Sequence, residues 1–200
     1  MRKAAITLPL VALCATFAAC SPADDTQAPD DTASIDAPAP GPAPSSAPTD
    51  VAGEAPAANV LTLEGLGGLT IGQPVPAGSS WNASGAQASD SCIVYASSEY
   101  PGAYAIVEGG AVRRVSVGQR SDVKLIEGIG AGASEAEVKA AFPGFVETPH
   151  KYVEAPGKYL TAPNGDSGDS ALRFEIGADG KVSQMHVGTA PVLGYVEACS

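Results

Sequence analysis

The sequence predicts an α+β domain in which two tandem units, each a short helix or loop followed by antiparallel strands, build one sheet. Three observations carry this reading. Glycine-flanked valine segments recur at an offset of 70 residues, a helix signature precedes the second set, and the first 58 residues differ in composition from all that follows. The organisation that results is a leader over 1–19, a tether over 20–58 and a globular domain over 59–200. Within that domain the first unit covers about 63–118 and the second about 124–199.

The chain opens with Arg2 and Lys3, then an apolar run from Ala4 to Ala19 that ends in Phe17-Ala18-Ala19-Cys20. A positive start, an apolar stretch short of about 20 residues and small residues before a cleavage point describe an export signal. Ending on cysteine, the segment resembles the lipobox of bacterial lipoproteins. That resemblance implies that Cys20 is diacylated and becomes the mature N-terminus. Ser21 resembles the outer-membrane sorting class, so the expected location is the cell envelope, lipid-anchored in the outer membrane and facing the periplasm. The alternative is an ordinary signal cleaved near Ala19, leaving Cys20 free.

From Ser21 to Ala58 there are eight prolines, seven acidic residues, no aromatic and no Lys or Arg. Such a stretch cannot bury enough apolar surface to offset its ordering entropy, so it reads as a disordered tether. Its 38 residues average about 35 Å as a flexible coil and reach at most about 120 Å as continuous polyproline II.

The formal charge of −11 becomes −13 without Arg2 and Lys3, and −6 for residues 59–200 once the seven tether acids are left out. An acidic domain with nine dispersed basic residues argues against a nucleic-acid partner and against binding anionic lipid through a basic patch. The membrane partner is the N-terminal lipid. With Cys14 leaving in the leader and Cys20 lipidated, Cys92 and Cys199 remain, and in an oxidising compartment they are expected to pair. Closing a loop of roughly a hundred residues stabilises a fold by about 4 to 5 kcal/mol on the chain-entropy model.

In the first unit Gly110-Ala111-Val112-Arg113-Arg114-Val115-Ser116-Val117-Gly118 aligns with Gly180-Lys181-Val182-Ser183-Gln184-Met185-His186-Val187-Gly188. The same offset pairs Tyr104 with Phe174 and Ile106 with Ile176, and so expects Tyr104 in the core. Turns at Glu108-Gly109-Gly110 and Ala178-Asp179-Gly180 make each copy a hairpin. Ser134-Glu135-Ala136-Glu137 is a capping box, Val138, Ala141 and Phe142 form one apolar stripe, and Pro143-Gly144 stops the helix. At the matching place the first unit has Pro74 and Pro76, so its helix is short, displaced or absent.

Gly130 to Val138, Gly157-Lys158-Tyr159-Leu160, Leu172-Arg173-Phe174-Glu175 and terminal Tyr195-Val196-Glu197-Ala198-Cys199 resemble a group of uncharacterised secreted and lipid-anchored bacterial proteins. More distantly, the tandem pattern is similar to the β-lactamase inhibitor protein and to the small lipoprotein of the outer-membrane barrel-assembly machine. That likeness implies a binding or inhibitory surface, and transfers no functional residue.

Candidate chemistry is sparse. Alternation from Met185 and Val187 turns His186 and Gln184 away from the core; with Arg114 and Ser116 they form the expected open face of the sheet and the candidate contact surface. His150 and His186 are the only imidazoles, and each reads as a surface histidine. Gly165-Asp166-Ser167-Gly168-Asp169 looks like a protease nucleophile segment, but a polar loop accounts for it better, since a triad needs a placed base and oxyanion hole. Asn164, Asp166 and Asp169 lack the EF-hand spacing, and the glycine-rich stretches lack GxGxxG or a P-loop lysine. No catalytic set, cofactor or metal is assigned. The function expected is a non-enzymatic binding or inhibitor-like module for an envelope protein or small ligand. The alternatives are a small hydrolase built on His150 or His186, and a structural envelope protein.

Overall fold

The computed structural model describes residues 59–84 and 91–199. The leader, Cys20 and the whole tether, with the lipid attachment expected there, lie outside the described residues. All described residues belong to one compact unit, Val51–Ser200.

An antiparallel sheet of eight strands dominates the fold. Its strands are β3 (Trp81–Ala83), β4 (Cys92–Ser97), β5 (Ala103–Glu108), β6 (Ala111–Gly118), β7 (Val146–Pro149), β8 (Lys158–Thr161), β9 (Ala171–Ile176) and β10 (Val182–Gly188). They lie in the order β3-β4-β5-β6-β10-β9-β8-β7, so two meanders meet where β6 pairs with β10. A small ribbon, β1 (Gly65–Leu66) with β2 (Leu69–Thr70), precedes them. Gly109 and Gly110 close the β5–β6 hairpin with φ of 61° and 79°, the left-handed geometry of a two-residue turn.

Among the described residues there is one α-helix, α1 (Glu135–Ala141), and it begins as the capping box predicts. The Ser134 hydroxyl accepts from Glu137 N, and Ser134 N donates to Glu137 Oε2 at 2.7 Å. Val138 is buried, and Phe142, Phe145 and Phe174 pack together with centroids 5.2 to 6.0 Å apart. No helix forms around Pro74 and Pro76, so the fold is sheet-dominated rather than an even α+β mixture with helices along one face.

Strand alternation sorts the sheet into two faces. Val112, Val115, Val117, Leu172, Phe174, Ile176, Met185 and Val187 enter the main core. A bulge puts Arg113 outside the ladder, which is why Val112 and Val115 share a face despite odd spacing. A second bulge at Ser183 does the same for Val182 and Met185.

Tyr104 does not share the core with Phe174. It lies on the opposite face, packed near Ile106 and Cys92. The turn from Ile176 to Val182 is one residue longer than the turn from Val107 to Val112. Ser116 therefore faces Tyr104, whereas His186 faces Arg173. The offset between the segments is 69 on this side of the hairpins and 70 on the other, and a slip of one residue exchanges faces.

A segment after β10 covers the second face. It contains a 3-10 turn, Val192–Gly194, and ends at Cys199, which is disulfide-bonded to Cys92 with Cα atoms 6.0 Å apart. Val192 and Leu193 are buried, and Tyr195 and Cys199 pack against the Cys92–Ile106 cluster.

Candidate functional site

The ladder register aligns Thr161, Arg173, His186, Ser116 and Tyr104 as one row across five strands, from β8 to β5. The next row holds Thr148, Tyr159, Glu175 and Gln184. Polar side chains thus crowd the face opposite the main core, as alternation predicts for Arg114, Ser116, Gln184 and His186. The face is not open, however. Arg114, Ser116 and His186 are buried and Gln184 is half-buried, because the C-terminal segment lies over them. A contact surface there is corrected to an interior polar layer.

Within that layer the two histidines converge on one carboxylate. His186 Nε2 is 3.2 Å from Glu175 Oε1, and His150 Nε2 is 3.5 Å from Glu175 Oε2. His150 Nδ1 accepts from the amides of Tyr152 and Val153, so its Nε2 carries the proton and points at Glu175. The His150 side chain stacks on Tyr159 at 4.5 Å and is largely enclosed, which corrects the expectation of two surface histidines.

Burial lowers His186 to about 4, with Glu175 pulling the other way, so the imidazole is neutral near pH 7. Burial alone would raise Glu175, but the hydrogen bonds from His186 and His150 outweigh it and hold the carboxyl below its ordinary value. Ser116 Oγ lies 2.8 Å from His186 Nδ1. Ser116, His186 and Glu175 therefore have the contact order of a nucleophile, base and orienting acid. Their surroundings remove that role: the hydroxyl is 0% exposed, and a base of pKa about 4 is weak at neutral pH. Among the described residues Ser167, in the protease-like segment, bonds within its own loop, to Asp169 at 3.4 Å, and meets no histidine.

Arg114 holds the cover in place. Its Nη1 donates to Val192 O at 3.1 Å and to Tyr195 O at 2.6 Å, and its Nη2 to Tyr104 Oη at 3.3 Å. Burial pulls its pKa down, but a guanidinium starting so high remains charged.

A different surface is exposed and apolar. A groove of about 740 Å³ is walled by Leu61, Leu125, Phe142, Phe145 and Leu172 and rimmed by Leu63 and Ile126. Ile126 is 85% and Leu63 47% exposed, unusual for side chains of this size. The groove is assembled from five stretches: the residues before β1, a tight turn at Leu125–Ile129, the residues just after α1, the loop after β8 and the start of β9. Ser170 Oγ donates to Leu63 O at 2.5 Å, tying the first wall to the last. Glu64 and Glu127 stand at its edges, and among the described residues no Lys or Arg lines it. Cavities of this volume and apolar character are the usual form of binding sites.

Sequence reasoning did not single out this groove. The available signal was Leu125-Ile126 between Lys124 and Glu127: two adjacent bulky residues in a tight turn cannot both enter the core.

No protein-family model matches the chain. No curated protein and no solved structure matches it either. The likeness to the β-lactamase inhibitor protein and the barrel-assembly lipoprotein thus rests on sequence pattern alone.

Proposed function

We propose that this protein is a non-enzymatic binding module, anchored in the bacterial outer membrane through a lipid on Cys20, that grips a partner polypeptide in the Leu63–Ile126 groove. The observation that carries the reading is the exposure of Ile126 at the rim of an apolar groove. Burying such a side chain in an interface is worth about 1.5 to 3 kcal/mol, and exposed contiguous apolar surface marks contact sites. The edge carboxylates Glu64 and Glu127 set the partner's chemistry: bulky apolar anchors flanked by Lys or Arg. The tether gives the groove reach away from the membrane. We also read the two meanders as tandem copies, supported by bulges at Arg113 and Ser183 and by a strand order that mirrors about β6 and β10.

The test is fluorescence anisotropy with two synthetic peptides sharing a Leu-Phe centre, one flanked by Lys and one by Glu. The Lys-flanked peptide should bind saturably, at least tenfold tighter than its Glu-flanked twin, and Ile126→Asp should weaken it at least tenfold. No saturable binding, or binding indifferent to Ile126→Asp, overturns the reading.

A further inference from the structure

Arg173 stands apart from the other cations of the polar face. Arg114 places both terminal nitrogens on three oxygens and leaves only its Nε without a partner, and Glu175 is engaged by both histidines. Arg173 has no hydrogen bond and no ion pair among the described residues, and its Nε is buried without a partner. What fixes it is the ring of Tyr159, over which its guanidinium carbon sits at 3.9 Å. Tyr159 is in turn held by His150. A half-buried guanidinium that is rigidly placed and unpaired is costly, because buried charge and buried donors normally find partners.

The guanidinium lines a pocket of about 350 Å³. Thr161 is its cross-strand neighbour on β8, and Thr148 on β7 belongs to the adjacent row. Both threonines line the same pocket, whose remaining wall is largely apolar, from Val146, Pro191 and Leu193. Two hydroxyls beside a fork of N–H donors, with an apolar wall opposite, match one end of a small amphipathic acid. Asp166, on the exposed loop, also lines the pocket, yet stands beyond ion-pair distance of Arg173. A carboxylate there disfavours a second negative charge and so selects against dianions such as phosphate.

We propose that this pocket binds a small organic carboxylate monoanion, held by the Arg173 guanidinium and the hydroxyls of Thr148 and Thr161. The site shares Ala162 and Pro163 with the apolar groove but none of its polar contacts, so it does not depend on that groove's ligand. Its ligand carries one carboxylate on a short apolar body.

The experiment follows the Arg173 Nε–Hε resonance of the full-length oxidised protein while hexanoate is added at constant ionic strength, with hexanol and inorganic phosphate as controls. A saturable shift with hexanoate, absent with hexanol and at least tenfold weaker with phosphate, is expected. Arg173→Gln should abolish hexanoate binding, and Thr161→Val should weaken it at least threefold. Asp166→Asn should narrow the gap between phosphate and hexanoate. No saturable shift, equal responses to hexanoate and phosphate, or binding that survives Arg173→Gln overturns the site. Should Arg173→Gln lose its dispersed amide spectrum, Thr161→Val decides: wild-type affinity in that variant overturns the proposal.

Discussion

Arg114, at the centre of the sheet, donates to the backbone carbonyl of Tyr195 at 2.6 Å across 81 residues of sequence. This contact joins a buried charge to the segment that keeps it buried. Arg114 and the cover are mutually dependent, since the guanidinium finds its backbone acceptors only in that segment.

Replacing Arg114 with Ala leaves the Tyr195 carbonyl and the Tyr104 hydroxyl oxygen without this donor, while the Val192 carbonyl keeps the Tyr195 amide. Hydrogen bonds to charged groups contribute about 1.5 to 3 kcal/mol each, and their loss here is not additive. Urea unfolding of Arg114→Ala should show a loss of about 3 kcal/mol or more. A change below about 1 kcal/mol would show that the segment does not depend on this anchor.

Acid should destabilise the protein in a defined window. His186 has a folded-state value of about 4 against an ordinary 6.5, so between those values the unfolded chain binds the extra proton. Stability is complete above about pH 6.5 and falls as pH drops toward 4, by about 3 kcal/mol. Glu175, lowered in the fold, adds its own loss in the same direction below about 4.5, its ordinary value. Melting temperatures across this range should fall with pH, and His186→Gln should flatten the slope between 6.5 and 4. An identical slope in the variant would assign the pH dependence elsewhere.

The disulfide closes a separation of 107 residues. Its removal by Cys92→Ser with Cys199→Ser should cost up to about 4 to 5 kcal/mol. The effect should also be local: hydrogen exchange at Leu193 and Tyr195 should accelerate more than at Phe174 or Met185. Uniform acceleration would mean that the cover and the core open as one unit.

Ser134→Ala removes both hydroxyl contacts of the capping box. A loss of about 1 kcal/mol is expected in thermal or urea unfolding. A neutral result would show that Glu137 alone sustains the helix start through its bond to Ser134 N.

At the groove rim, Ile126→Asp should leave stability within about 0.5 kcal/mol of wild type, because the side chain is almost wholly exposed. The variant is therefore a clean probe of binding. A large loss of stability would instead place Ile126 in the packing of the turn.

Local rules in the sequence determined much of this protein. The period of two along a strand put Arg114, Ser116, Gln184 and His186 on one side, Gly109-Gly110 made a hairpin turn, Ser134 to Glu137 started the helix, and counting cysteines paired Cys92 with Cys199. Each of these depends on neighbours a few residues away or on simple arithmetic. Tertiary structure alone decided whether that side was wet or dry, because the segment covering it returns from the chain's far end. It also decided that Tyr104 and Phe174 occupy opposite faces, through one extra residue in a turn. The convergence of His150 and His186 on Glu175, and the groove drawn from five separate stretches, likewise have no local signature. They arise from burial, which sums over contacts between residues that the chain order keeps apart.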